Sequence, residues 1–404
     1  MNVGDTVEMA IESVAFGGEG VGRIDNRVVF VPFTVDGDVV AVKINEVRKR
    51  YARGDVTNVA VPSPKRTDPR CAHYHRCGGC HYQHINYVHQ AEIKQQQVID
   101  VFQRIGKVSH PPVSPTIKSP MIYNYRGKAE YHVKGLATQT PVVGFMDLTG
   151  ASVIDIDRCE IVHESINDTC RRFRKDIDAR KRTIRETRKT FWSAEERDSY
   201  DAESGTSLKF PIIKRSVKNR VFPVPAAGFF QINLSLIDTL VDQVVMRSSF
   251  SLSDVIMDCY CGSGLFALFL SPRVREVRGI EMSGKAVRCA RTTMQHYEAT
   301  NVSIIEGSVE DVLRFHTAET DRIDGVLLDP PRTGCTGETL ARIIDLKPRR
   351  IVYVSCNPAT QARDARVLMD GGFHLVELQP LDMFPQTKHV EVIAVFDRLH
   401  EGMG

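Results

Sequence analysis

The spacing of apolar positions changes three times along the chain. Over residues 1 to about 60 they alternate with polar ones in "TVEMAIESV", "RVVFVPF" and "DVVAVKINEV", separated by the turn-rich "FGGEGVG" and "TVDGD". A period of two in runs this short and close together predicts a small antiparallel β-barrel. The proline-bearing link "AVPSPKRTDP" ends that unit. In "INYVHQAEIKQQQVIDVFQRIG" the residues Val88, Ile93, Val98, Val101, Phe102 and Ile105 recur at helical spacing, and Gly106 supplies a stop. Residues from about 119 to 228 are mixed and charge-rich and predict no clear succession of elements. From about 229 strand-like runs ("DVIMDCYC", "VREVRGIE", "IDGVLLDPP", "RIVYVSC") alternate with helix-like ones ("GKAVRCARTTMQHYEA", "ATQARDARVLMDGG"). That alternation predicts an open, mostly parallel sheet covered by helices, with ligands beyond the carboxyl ends of the strands. Three domains are expected, over residues 1–60, 61–228 and 229–404.

Composition narrows the function classes. With 404 residues and 42% apolar content the chain can bury two or three cores. No run of eighteen uncharged apolar residues occurs, and "MNVGDTVEMA" lacks the cationic flank and apolar stretch of a signal peptide, so no membrane association and a cytoplasmic protein are expected. In that compartment the ten cysteines are hydrophobes, metal ligands or catalysts rather than a disulfide framework. The net charge of +3 conceals clustering. Arg171 to Lys189 holds ten basic residues against Asp176, Asp178 and Glu186, and Lys43 to Arg53 holds five against Glu46. With Tyr51, Phe191 and Trp192 beside them, these runs favour a polyanion such as RNA over a merely solvated face.

Chemistry-bearing residues punctuate the strand ends. "DCYCGSGLFA" sets Gly262 and Gly264 between a strand and a helix, and Glu281 closes the next strand, where an acid can bind the hydroxyls of a ribose. Asp258 ahead of the glycines suits the cationic amino group of S-adenosylmethionine and would repel a pyrophosphate, which disfavours a nicotinamide dinucleotide. "VLLDPPR" ends an apolar strand on Asp329, and Arg332 stands where amino-group methyltransferases carry an aromatic, so methylation of an exocyclic amine is not expected. "VSCNP" ends the following strand on Cys356. A pyrimidine carbon 5 is a feeble nucleophile until a thiolate adds at carbon 6, and the carbon-5 proton must then be removed by a base. Glu391, at the start of the apolar strand in "PQTKHVEVIAVF", is the candidate base.

"CAHYHRCGGC" gives Cys71, Cys77 and Cys80, a spacing that implies a metal centre, with Cys159 and Cys170 as candidates for a fourth ligand. His73, His75, His81 and His84 keep zinc in play.

Taken in order, "CAHYHRCGGC", "DRCEIV", "FFQIN", "DCYCGSG", "DPPR", "SCNP" and "HVE" resemble the RNA uracil-5-methyltransferases, in particular their iron-sulfur-containing ribosomal RNA branch. The resemblance covers nearly the whole chain. It implies an α/β fold: a Rossmann-like S-adenosylmethionine-dependent methyltransferase domain, an N-terminal TRAM barrel carrying "GEGVGRIDNRVVFVPFTVDGD", and an α+β central iron-sulfur domain. It also implies a [4Fe-4S] cluster on Cys71, Cys77, Cys80 and Cys159, with zinc as the alternative. S-adenosylmethionine contacts are implied for Gln231, Tyr260, Glu281 and Asp329, with Cys356 as nucleophile, Glu391 as base, and the helical stretch after the cluster packed on the catalytic domain. The expected function is methylation of a uridine at C5 in large-subunit (23S) ribosomal RNA by a monomer. Transfer RNA uridine, RNA cytosine C5, or metal-dependent RNA binding without activity are the alternatives.

Overall fold

The computed structural model describes residues 1–135, 141–180, 184–193, 208, 210–315 and 322–398. Two compact units emerge: Met1–Gln97 with Lys118–Ser193 and Phe384–His389, and Val98–Ile117 with Ala194–Met383 and Val390–Gly404.

The first unit begins with six strands, β1 (Thr6–Ala10), β2 (Ser13–Val14), β3 (Glu19–Ile24), β4 (Arg27–Pro32), β5 (Val39–Val47) and β6 (Tyr51–Val61), in the order β1-β5-β6-β4-β3-β2. Val29, Val31, Val40, Val42, Ile44 and Ala52 fill its interior, as alternation requires. Two of these strands escape the hydrophobic pattern. In β3, "EGVGRI" reads as turn, yet a Cβ on Gly22 would stand 2.3 Å from the Ala10 carbonyl oxygen, so glycine serves a close approach of β3 to β1 rather than a bend. In β6 the first inward positions are Ala52 and Gly54, too small to register as apolar, and a Cβ on Gly54 would meet Val42 at 2.5 Å. The sheet is also not wholly antiparallel, because β4 and β6 run parallel.

After the cysteine loop comes α1 (Tyr87–Arg104), which passes from the first unit into the second after Gln97. The rest of the first unit is a four-stranded sheet, order β10-β7-β8-β9, built from β7 (Lys128–Gly135), β8 (Val142–Met146), β9 (Val153–Asp155) and β10 (Ile184–Trp192), with α2 (Glu164–Arg180). Ile166 and Cys170 of α2 pack with Tyr131, Val143 and Phe191. The basic run from Arg171 is therefore divided between helix α2 and strand β10, and its Lys181–Thr183 lie outside the described residues.

The second unit opens with the hairpin β11 (Ile212–Val217) and β12 (Arg220–Pro225), followed by α3 (Ile237–Ser248). Its sheet comprises β13 (Val255–Cys259), β14 (Glu276–Glu281), β15 (Val302–Glu306), β16 (Gly325–Leu328), β17 (Arg350–Ser355), β18 (Phe373–Leu381) and β19 (Glu391–Arg398). The helices α4 (Leu265–Leu270), α5 (Gly284–His296), α6 (Val309–Leu313), α7 (Gly337–Leu346) and α8 (Pro358–Asp370) connect the strands. The order is β15-β14-β13-β16-β17-β19-β18, parallel except for β19. Val98, Val101 and Phe102 at the end of α1 join the core of this sheet, with Met257, Leu328, Tyr353 and Phe396. One edge of the sheet thus collects the carboxyl ends of β13, β14, β16 and β17 together with the amino end of antiparallel β19.

Candidate active site and cysteine cavity

At the end of β13, Asp258 is wholly buried and neither carboxylate oxygen has a hydrogen-bond partner. Burial, then the charge of Asp329, then that of Glu281, push its pKa far above the ordinary carboxylate range, while the facing Ala267 amide pulls weakly the other way without forming a bond. The loop that follows is built on left-handed backbone: Tyr260 at φ 65°, Gly262 at 56° and Gly264 at 83°. At Gly264 a Cβ would also strike Met294 at 2.7 Å, whereas at Gly262 it would meet nothing within 4 Å, so that glycine borders open space. Glu281 pins the loop by accepting from Gly262 N (3.0 Å) and Ser283 N (2.7 Å), and each oxygen keeps a lone pair for a hydroxyl. Tyr260 turns its ring into the main core, toward Thr339 and Cys335. Asp329, just past β16, is raised to about 7 by burial, and Gln231 Nε2 reaches its carboxylate at 3.4 Å.

Cys356 follows β17, and Glu391 opens β19. The antiparallel register ends on Ser355↔Val392, with Cys356 next along the chain on one side and Glu391 on the other. Asn357 explains the proline turn: its side chain caps α8 by accepting from Ala359 N, Pro358 takes the first helical position, and Asn357 Nδ2 donates to the Arg332 carbonyl at 2.9 Å. The cysteine is thereby fixed between a strand end and a helix start. Burial pushes its thiol up to about 11, with Glu391 adding to the rise and Arg332 opposing it. Glu391 is 2% exposed and is raised well above the usual carboxylate range by burial and then by Asp329, again opposed by Arg332. In the sequence Arg332 served only to exclude amine methylation; here it is the cation acting on both groups. Its signal was available, as the basic residue directly after the Asp-Pro-Pro turn.

In the first unit, Cys71, Cys77, Cys80 and Cys159 line one cavity of about 530 Å³, with His73, His81, Gln83 and Lys388. Cys170 does not line it. Gly79 N donates to Cys77 Sγ at 3.4 Å, Cys71 N to Gln83 Oε1 at 3.0 Å, and Cys159 N to Asn167 Oδ1 at 3.0 Å. All four thiols are raised by burial, Cys159 to about 11. Of the four neighbouring histidines, His84 is engaged by the Tyr74 hydroxyl at 2.7 Å and His75 stacks edge-on against Phe33, leaving only His73 and His81 on the cavity wall. Among the described residues, no three His, Cys, Asp or Glu side chains are gathered as a site for a single metal ion.

Residues 211–398 match the family model described as tRNA (uracil-5-)-methyltransferase, and residues 1–57 match the TRAM domain. An uncharacterized RNA methyltransferase of Halalkalibacterium halodurans is 33% identical over 98% of this chain and 98% of its own length. The chain belongs to the RNA (uracil-5-)-methyltransferase family. Another member, an uncharacterized RNA methyltransferase of Nostoc, is 32% identical over 97% of this chain and 96% of its own. Among solved structures, the Pyrococcus abyssi tRNA (uracil-54, C5)-methyltransferase in complex with S-adenosyl-L-homocysteine covers 96% of this chain and 100% of that one, at TM-score 0.70 and 23% identity, a likeness of fold.

This methyltransferase is S-adenosylmethionine-dependent and acts on RNA. Its own residues fit the donor: the loop holds open space at Gly262, a buried, unpartnered Ser263 hydroxyl and an orphaned Asp258 carboxyl that burial keeps from ionising and that a ligand bearing an ammonium and a sulfonium would let ionise. Among the described residues no helix is long and apolar enough to cross a membrane.

Proposed function

We propose that the enzyme methylates C5 of a uridine in large-subunit ribosomal RNA, with Cys356 as nucleophile and Glu391 as base. The observation that supports this reading is the β17–β19 register, whose last pair, Ser355↔Val392, adjoins Cys356 and Glu391, together with the effect of the Glu391 charge on the Cys356 thiol. Bound among Asp258, Gln231, Glu281 and Asp329, S-adenosylmethionine supplies a methyl group on a sulfonium. The Cys356 thiolate forms a bond to C6 of the uracil, and the electron pair of the C5=C6 bond becomes available at C5 to take the methyl. Glu391 then removes the C5 proton; the C5–H pair restores C5=C6 and the bond to Cys356 breaks. A thiol raised to about 11 must first lose its proton, and Arg332 is the chain's own group that favours the thiolate.

Four thiols on one cavity with room for more than a single ion support a [4Fe-4S] cluster over zinc on Cys71, Cys77, Cys80 and Cys159. An anaerobic absorption spectrum with an iron count tests it. The preference for ribosomal over transfer RNA rests on the resemblance of the barrel-plus-cysteine architecture to that branch. That all ten cysteines are free thiols accords with the cytoplasm.

The decisive experiment incubates the protein and its Cys356→Ala variant with S-adenosylmethionine and 5-fluorouridine-substituted ribosomal or transfer RNA, followed by a denaturing gel. Fluorine cannot leave as a proton does, so a covalent protein–RNA adduct is expected with wild type and ribosomal RNA only. An adduct with transfer RNA instead corrects the substrate. An adduct that survives in Cys356→Ala removes Cys356 from the mechanism.

A further inference from the structure

Past β16 the second unit turns through Asp329 to Cys335 before α7 begins, and Pro330 and Pro331 have no backbone N–H to extend the sheet. Pro331, Arg332 and Thr333 are exposed, so burial does not hold this turn. Its carbonyls are held instead. That of Pro331 accepts from Gly334 N at 2.9 Å within the turn, and the rest of the hold comes from α8. The Arg332 carbonyl accepts from Asn357 Nδ2 (2.9 Å) and Thr360 Oγ1 (3.2 Å), and the Thr333 and Cys335 carbonyls accept from Arg363 Nη2 (3.0 and 3.2 Å). Asn357, Thr360, Arg363 and Asp364 stand three and four apart, which sets them on one face of the helix from its cap onward.

Asp364 is the buried centre of this hold. It is 1% exposed; its Oδ2 accepts from Cys335 N and from the Tyr353 hydroxyl, both at 2.8 Å, and its Oδ1 accepts from Arg363 Nε at 2.8 Å. Gly334 makes room for it, with φ at 76° and a would-be Cβ only 2.5 Å from Asp364 Oδ2. Tying α8 to β17 needs only the Tyr353 bond; the other two serve the turn. The same helix starts directly after Cys356, so thiol and turn are referred to one rigid element. Facing the thiol are Glu391 from β19, and Arg332 and Asp329 from the turn; burial and the two acids raise it, and Arg332 opposes them.

We propose that Asp364 and Arg363 are positioning residues: holding the Pro331–Cys335 turn from α8, they keep Arg332 where its charge acts on the Cys356 thiol. This rests on the reading of Cys356 as nucleophile and of Arg332 as the cation that favours its thiolate. With the Thr333 and Cys335 carbonyls released, the exposed turn is free to let the guanidinium draw back into solvent. Drawing a unit charge back from about 4 to about 6 Å at an effective dielectric of 20 costs the thiolate a factor of about ten.

The test uses the full-length protein carrying Asp364→Asn, and separately Arg363→Met, whose side chain is 52% exposed in the wild type, so that its replacement spares the core. Each is alkylated with iodoacetamide over a range of pH. Mass spectrometry follows the Cys356 peptide beside those of the fully buried Cys259 and Cys289, which report the fold. Calorimetry with S-adenosylmethionine reports the donor site. Expected in both variants is a Cys356 curve moved up by about one pH unit, with alkylation about tenfold slower near neutral pH. Cys259 and Cys289 should stay unreactive and donor affinity unchanged, while adduct formation on 5-fluorouridine RNA slows at neutral pH and recovers as pH rises. Added to Arg332→Gln, the same substitutions should move the curve no further. A Cys356 curve at its wild-type position in both variants overturns the proposal. So does an undiminished shift in the Arg332→Gln background, which means that α8 acts on the thiol by another route. Labelling of Cys259 and Cys289 together with lost donor binding overturns it too, as the signature of a merely structural pair. The failure of the underlying reading is separate: it appears as Arg332→Gln alone leaving the Cys356 curve unmoved, whatever the α8 variants do.

Discussion

The sheet edge and the cysteine cavity both gather residues distant in sequence, but by different means. At the edge, Asp258, Glu281, Asp329, Cys356 and Glu391 each stand at a strand end, so pairing register fixes them without help from a ligand. At the cavity, three of the four thiols come from the single loop Cys71 to Cys80, and only Cys159 is brought from afar. The edge is strained electrostatically, with acids buried close enough to raise one another. The cavity gathers four thiols whose pKa burial raises, and a cluster of the kind proposed there would complete it. A site made by register keeps its shape when its ligand leaves; a site made by a loop stores part of its stability in the ligand.

The sharpest break of this comparison lies at the edge. Glu391→Gln is expected to lower turnover about 10²–10⁴-fold while leaving formation of the covalent adduct intact, read by gel on ordinary RNA. Next, Asp258→Asn should weaken S-adenosylmethionine binding about a hundredfold, since a charge pair near 4 Å is worth about 4 kcal/mol at an effective dielectric of 20, part of which the amide recovers. The same variant should melt higher than wild type without ligand, because a buried unpaired acid is gone. At the cavity the order reverses: Cys159→Ser should abolish bound iron and lower the melting temperature by about 5 °C or more, with cofactor affinity in calorimetry unchanged within about twofold. A fall in cofactor affinity there would erase the distinction between the two regions.

The smallest effect is a pH slope. Burial raises Asp329 from 3.8 to about 7, so the folded state favours its protonated form. Its contribution to stability is present at low pH and is lost as pH rises from about 4 through about 7. Asp329→Asn should therefore flatten the ligand-free melting temperature across that window relative to wild type. Cofactor affinity should rise with pH over the same range in wild type and stay level in the variant.

Much of the edge was legible because its strands are apolar runs that stop on a single acid or thiol, as in "VLLD" and "VYVSC". Two barrel strands were not, since Gly22, Ala52 and Gly54 face inward and small residues leave no hydrophobic period. Helix α2 was hidden for the opposite reason: its charges crowd out the apolar spacing that Ile166, Cys170, Phe173 and Ile177 do carry. The hold on the Phe384–His389 connection between β18 and β19 had no signal at all, because the Gln386 carbonyl accepts from the main-chain amides of His81 and Tyr82, groups that every sequence possesses.

The cluster of acids around the glycine loop has one more consequence, in the direction of traffic. Methyl transfer turns a sulfonium into an uncharged thioether, so the departing molecule carries one positive charge fewer than the arriving one. Asp258, buried with neither carboxylate oxygen hydrogen-bonded, and Asp329, held by Gln231 alone of the side chains described above, are the acids with most to gain from a cation beside them. With the donor seated among these acids as proposed, fresh donor is expected to bind more tightly than spent donor, and calorimetry with each of the two checks it.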